Sequence, residues 1–163
     1  MKNILITGCG SGLGRKAAIA LANREHFVYA TTHTQEQADH LNKLNKKWCL
    51  PMHAFKLDIR NLDDRHKVRK LNLDILINNA AIGDSGSVCE IDVNRYRNVF
   101  ETNIFSAIEL TQEVLKDMIS KGYGRIIFLS SLAGRSPIPF LSPYCGSKFA
   151  LEGIVPALNM ELK

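Results

Sequence analysis

Tyr144 and Lys148 stand four residues apart in Tyr144-Cys145-Gly146-Ser147-Lys148, a spacing that puts two side chains on one face of a helix. A free phenol has a pKa of about 10 and is a poor base at neutral pH. An ammonium beside it stabilises the phenolate. A phenol so placed works in both directions, as an acid toward a carbonyl and as a base toward an alcohol. Such pairs also arise by chance on solvated helices, so this one needs company.

A second segment supplies it. Thr7-Gly8-Cys9-Gly10-Ser11-Gly12-Leu13-Gly14 lies between a strand-like run and a helical pattern, where a phosphate-binding turn belongs. Glycines there allow positive φ and let a pyrophosphate approach the backbone amides. A Walker A loop would end in Gly-Lys-Ser/Thr, but Gly14 is followed by Arg15-Lys16-Ala17, which disfavours a nucleoside triphosphatase. The G-x-G-x-x-G pattern fails in both registers, because it would need glycine at Leu13 or at Arg15. The pattern that fits is T-G-x-x-x-G-x-G.

With Leu57-Asp58-Ile59, Asn78-Asn79-Ala80-Ala81, Thr102-Asn103-Ile104 and Leu129-Ser130-Ser131-Leu132-Ala133-Gly134 in the same order, the chain resembles the classical short-chain dehydrogenase/reductase family. The resemblance implies a role for each segment. Gly8, Gly10, Ser11, Gly12, Leu13 and Gly14 would hold the pyrophosphate of a nicotinamide dinucleotide. Asp58 and Ile59 would border its adenine, and Asn79, Ala80 and Ala81 its adenosine side, with Ala81 where the family usually has glycine. Tyr144 would move the proton and Ser131 would polarise the substrate oxygen, with Ser130 as the alternative. Lys148 would anchor the nicotinamide ribose and tune Tyr144, whose phenolate the positive nicotinamide would also favour. Asn103 would hold a water beside the lysine and link the site to solvent. The implied reaction is hydride transfer between NAD(P) and a small-molecule alcohol or carbonyl. The extended branch of epimerases and dehydratases shares Tyr-x-x-x-Lys but usually carries T-G-x-x-G-x-x-G instead.

Cofactor choice is read at the end of the second strand, where NAD-preferring folds place a carboxylate on the ribose 2′-OH. Here the stretch is Ala30-Thr31-Thr32-His33-Thr34. Thr32 takes that position and His33 could meet a 2′-phosphate, so the reading leans to NADP over NAD. Arg15 and Lys16 decide nothing, since they can simply face solvent.

These residues require particular elements. Strand-like runs at 3–7, 27–31, 53–57, 74–78 and 125–130 are apolar without alternation, and helical patterns at 13–21, 35–46, 63–70, 94–120 and 144–162 separate them. Unalternating strands between helices indicate a parallel sheet covered on both faces. The pattern is therefore α/β in one domain over 1–163, and the family resemblance implies a Rossmann-like doubly wound sheet of strand order 3-2-1-4-5. The 94–120 helix could break near Asn103. The family continues with further strands and a substrate-covering lid, so a chain ending at Lys163 reads as the shortened part of a normal enzyme. The competing reading is a cofactor-binding module without turnover.

Composition narrows the classes further. With 163 residues and 45% hydrophobic content, one real core is affordable. No apolar run approaches the roughly 20 residues needed to span a bilayer, and the N-terminus lacks a signal-peptide pattern. The expectation is a cytoplasmic protein that engages no membrane. Cys9, Cys49, Cys89 and Cys145 lack metal-ligand spacing and read as free thiols. The net charge of +5 is scattered, and its one dense patch, His66 to Lys70, reads as a solvated helix face rather than a nucleic-acid site. The resemblance implies a homodimer or homotetramer built on the 94–120 and 144–162 helices. The apolar loop Pro137-Ile138-Pro139-Phe140-Leu141-Ser142 should border the pocket and hints at a partly hydrophobic substrate.

Overall fold

Five strands form one sheet in the order β3-β2-β1-β4-β5, as the family resemblance implies. They are β1 (Asn3–Ile6), β2 (Phe27–Thr32), β3 (Met52–Lys56), β4 (Ile75–Asn78) and β5 (Arg125–Phe128). The pairings β1–β2, β1–β4 and β2–β3 are all parallel, with Leu5 opposite both Tyr29 and Leu76. The helices are α1 (Gly12–Ala22), α2 (Gln35–Trp48), α3 (Leu62–His66), α4 (Val93–Phe100), α5 (Ser106–Lys121) and α6 (Ser142–Glu161). The computed structural model describes residues 1–162. None of the helices among these residues is long and apolar enough to cross a membrane.

The chain divides into two units, one of Met1–Ala80 with Ile108–Ile127 and one of Ala81–Ala107 with the residues from Phe128 onward. The first is the sheet and its covering helices. One core cluster gathers Ile4, Ile6, Val28 and Ala30 with Ala18 and Leu41 of α1 and α2. The other gathers Leu5 and Leu76 with Val68, Leu110, Val114 and Met118. Alternate residues of β1 thus feed opposite clusters, which is why the strand reads as an unbroken apolar run.

Local chemistry fixes the boundaries. Helix α2 opens on a capping box in which Thr34 accepts from the Gln37 N–H and the Gln37 side chain accepts from the Thr34 N–H, satisfying two orphan donors. Midway along it, Asn42 accepts from the Ala54 N–H at 2.9 Å and donates to the Ala54 carbonyl at 2.8 Å, in the manner of another strand. The basic patch at 66–70 is split between α3 and a 3₁₀ turn at Lys67–Lys70. There Lys67 pairs with Asp64 and Arg69 with Glu113, so these charges have intramolecular partners.

The second unit holds α4, α6 and the loops between them. The helix expected over 94–120 is interrupted, because residues Glu101–Phe105 form a π-helical turn between α4 and α5. Asn103 lies within it.

Leu76 is fully buried in the interior strand β4. Truncation to alanine should cost about 2–5 kcal/mol of stability, read as a lower urea midpoint with an unchanged m-value. An unaltered midpoint would contradict this account of the core.

Candidate active site

In the first unit the glycine turn is built around Thr7. Its hydroxyl accepts from the N–H groups of Asn79 at 3.0 Å and Ala80 at 2.9 Å, fastening the end of β4 to the end of β1. Asn79 returns the contact, donating to the Thr7 carbonyl at 2.7 Å and the Gly8 carbonyl at 3.3 Å. Gly8 sits at φ +71°, and a methyl carbon there would lie 2.9 Å from Ala80 Cα. At Gly14 a methyl carbon would lie 2.6 Å from the Gly8 carbonyl oxygen, so the helix can start this close to the strand only with glycine. Ser11, Gly12 and Leu13 are exposed at the start of α1, and the Ser11 side chain makes no capping bond among the described residues. With no acidic residue in that first turn, the open end of α1 presents amide donors and the positive end of its dipole, which suits an anion such as a diphosphate.

Several side chains expected to bind cofactor have partners within the protein. Thr32 is fully buried and donates its hydroxyl to the Thr34 carbonyl at 2.8 Å. Ile59 is packed in the second core cluster. Both Asn79 amide hydrogens serve the turn. Arg15, uninformative in the sequence, donates to the Gly10 carbonyl. Ala81 begins the second unit. His33 is the exposed side chain after β2, 3.8 Å from Asp58. Partial burial works to raise the Asp58 carboxyl, but the Arg60 N–H, its guanidinium and His33 outweigh this and hold it below the usual range. Burial pushes the Cys9 thiol up to about 12, which leaves it inert as a nucleophile.

The second unit carries the residues expected to do chemistry. Lys148 is 3% exposed and donates from Nζ to the Leu129 carbonyl at 2.7 Å, the residue that follows β5. Burial holds its ammonium below the ordinary lysine range. The same Nζ lies 5.6 Å from the centre of the Tyr144 ring, within the range of a cation–π contact. Asn103 grips Ile82 through both backbone groups, accepting from its N–H at 2.8 Å and donating to its carbonyl at 2.9 Å. Its second amide hydrogen goes to Ser147 Oγ at 3.0 Å, and Ser147 donates to the Tyr144 carbonyl at 2.8 Å. Ser131 caps the 3₁₀ turn Leu132–Gly134, its oxygen accepting from the Ala133 N–H at 3.2 Å, so its own proton is left to donate. The Ser130 hydroxyl is buried behind that turn.

Two members of this cluster were not singled out from the sequence. Ser147 is fully buried, and its place three residues beyond Tyr144 was the available signal. A methyl carbon at Gly134 would lie 2.9 Å from both the Lys148 carbonyl oxygen and Ser130 Oγ, so this glycine lets the turn touch α6.

A doubly wound parallel sheet with an open glycine turn, and a unit that pairs a tyrosine with a buried lysine, together describe a dinucleotide-binding enzyme class. Comparison with known proteins gives the family. Residues 2–163 match the short chain dehydrogenase family, and the chain belongs to it. It is 35% identical to YusZ of Bacillus subtilis, described as an uncharacterized oxidoreductase, over 99% of this chain and 60% of that protein. It is 31% identical to human 17-beta-hydroxysteroid dehydrogenase type 1, over 98% of this chain and 52% of that protein. Among solved structures, an actinorhodin polyketide ketoreductase variant with NADPH superposes at a TM-score of 0.93 with 26% identity, covering 99% of this chain and 65% of its own. The chain thus spans about half to two-thirds of these relatives.

Because burial lowers the Lys148 pKa, the unfolded chain binds more protons than the native one between the folded value and the ordinary 10.5. Stability should therefore gain a rising contribution from this group as pH climbs toward 10.5. Urea midpoints across the alkaline range should lose that contribution in Lys148→Met, and an identical pH slope in both proteins would overturn the assignment.

Proposed function

We propose that this protein is a nicotinamide-dependent oxidoreductase acting on an alcohol or its carbonyl, with Tyr144 as the acid/base. The observation that carries the reading is the buried Lys148 ammonium beside the Tyr144 ring, held there by the Leu129 carbonyl. Family membership supports the same reaction class.

When bound, the nicotinamide supplies or accepts the hydride. The protein's own groups manage everything else. In the reducing direction the Tyr144 hydroxyl gives its proton to the carbonyl oxygen, and in the oxidising direction it takes the proton of the alcohol. The charge of Lys148 stabilises the phenolate formed in the first case. Ser131 donates its hydroxyl proton toward the substrate oxygen, where negative charge develops. Asn103 has both amide hydrogens committed, so its side chain acts as a positioning group for Ile82 and the Ser147–Tyr144 turn rather than as a proton carrier. The amides of Gly10 to Gly14 would hold the diphosphate.

For the cofactor, the reading leans to NADP. The end of β2 offers no carboxylate, His33 is exposed there, and the Asp58 charge is compensated by Arg60. The solved ketoreductase relative was crystallised with NADPH.

In Tyr144→Phe, turnover should fall by roughly 10²-fold or more while the cofactor dissociation constant changes little. Near-normal turnover in that variant would remove Tyr144 from the chemistry. Fluorescence titration of NADPH and NADH should show tighter binding of NADPH, and a clear preference for NADH would reverse the cofactor reading. Cofactor binding with no reaction across a broad panel of alcohols and ketones would leave a binding module instead.

A further inference from the structure

Asp58-Ile59-Arg60-Asn61 links β3 to α3, and most of its backbone is engaged. The Asp58 N–H donates to Asp64 Oδ2 at 2.9 Å, and the Arg60 N–H to Asp58 Oδ1 at 3.0 Å. The Asn61 N–H donates to the Asp58 carbonyl at 2.9 Å, and the Asn61 carbonyl accepts from the Arg65 N–H at 3.1 Å. The Ile59 N–H differs, since it has no partner among the described residues. Ile59 is 5% exposed, and an unpaired backbone donor on so buried a residue costs stability. Its direction is nonetheless fixed. The Asp58 carbonyl, which shares a peptide plane with it, is held by Asn61, and the Ile59 side chain is packed in the second core cluster.

The remaining hold on this residue comes from a buried charge. The Ile59 carbonyl accepts from Arg65 Nη1 at 2.7 Å, and Arg65 Nη2 lies 2.9 Å from Glu109 Oε2 on α5. The Arg65 side chain is 7% exposed against 48% for Glu109, so the guanidinium bears nearly all the desolvation of the pair. Its Nε is buried with no partner among the described residues. Lys67, Arg69 and Lys70 of the same basic stretch stay exposed. A well-packed apolar side chain often serves stability as well as a buried ion pair does, so the cost of burying Arg65 is not explained by the fold. What the guanidinium adds is geometric, because it fixes the third side of Ile59.

A free, aimed N–H one residue after a carboxylate sets a donor beside an acceptor. Adenine answers that pair with a bare ring nitrogen next to an amino group, and the family resemblance sets Asp58 and Ile59 beside this base. We propose that Arg65 is a positioning residue for the cofactor's adenine, holding the Ile59 carbonyl so that the N–H of the same residue is presented to the ring nitrogen. This rests on the reading of the protein as an enzyme that binds a nicotinamide dinucleotide.

Whichever of NADPH and NADH binds the full chain more tightly is titrated by fluorescence alongside its deaminated analogue, in which hypoxanthine carries an N–H where adenine has the bare nitrogen. The parent should bind the adenine form about fivefold or more tightly. In Arg65→Met, and in Arg65→Gln with its shorter side chain, that preference should largely vanish, through weaker binding of the adenine form and little change for the analogue. A purely structural role for Arg65 would weaken both ligands alike and keep the ratio. Glu109→Gln retains an acceptor for Nη2 and leaves Arg65 on the Ile59 carbonyl, so its ratio should match the parent even where its thermal midpoint is lower. An unchanged ratio in both Arg65 variants, or an equal loss of it in Glu109→Gln, would overturn the proposal. A parent that binds a dinucleotide without distinguishing the two bases would sink this inference alone. A parent that binds neither NADPH nor NADH would sink the cofactor reading together with it.

Discussion

Burying the Lys148 ammonium strips a full charge of its hydration, and the Leu129 carbonyl at 2.7 Å is the acceptor that replaces part of it. A buried charge is tolerated only where its surroundings are fixed. The rest of the second unit reads as the means of fixing them. Gly134 lets the turn after Ser131 press against the Lys148 carbonyl, which holds α6 against the segment that supplies Leu129. From the other side Ser147 ties the Tyr144 carbonyl to Asn103. Displacing any of these would leave the ammonium short of an acceptor, so the positions of a phenol, a hydroxyl and a strand-end carbonyl are all tied to one costly charge.

Asn103 makes its contacts from an irregular stretch of the helix. The π-helical turn at Glu101–Phe105 is a local change of pitch of the kind found at functional sites. Its buried asparagine meets both backbone groups of Ile82. Asn42 does the same for Ala54 and Asn79 does something close to it for Thr7 and Gly8. In each case a side-chain amide stands in for a peptide group where no strand is available, which keeps buried backbone polar groups paired.

This explains what was legible in the sequence and what was not. Strand positions, the glycine turn and the Tyr144–Lys148 helix were readable because apolar runs, glycine spacing and a four-residue offset are one-dimensional signals, while strand order came with the family resemblance. The direction of a polar side chain is not. Thr32 and Asn79 carry the residue types expected of ligands, yet their polar groups are turned into the turns that bear them. Ile59 was absorbed into the core. Ser147 and Gly134 escaped notice for the opposite reason, since a small residue held by distant neighbours leaves no mark in its own vicinity. The break at Asn103 could be anticipated as a weak point in the helix, but the pairing with Ile82 that exploits it could not.

Most polar residues in the motifs therefore bind protein backbone rather than reactants, and few groups are left free to act. Ser131 keeps one proton to donate because its oxygen is already engaged by the Ala133 N–H, an arrangement that aims the hydroxyl instead of letting it rotate. The Tyr144 carbonyl is held by Ser147 and its ring lies beside a fixed charge, so the phenol is constrained at both ends of the residue. A site organised this way has small reorganisation to make when charge develops on a bound oxygen, and preorganisation of that kind is the larger part of what a protein can add to chemistry that a cofactor supplies.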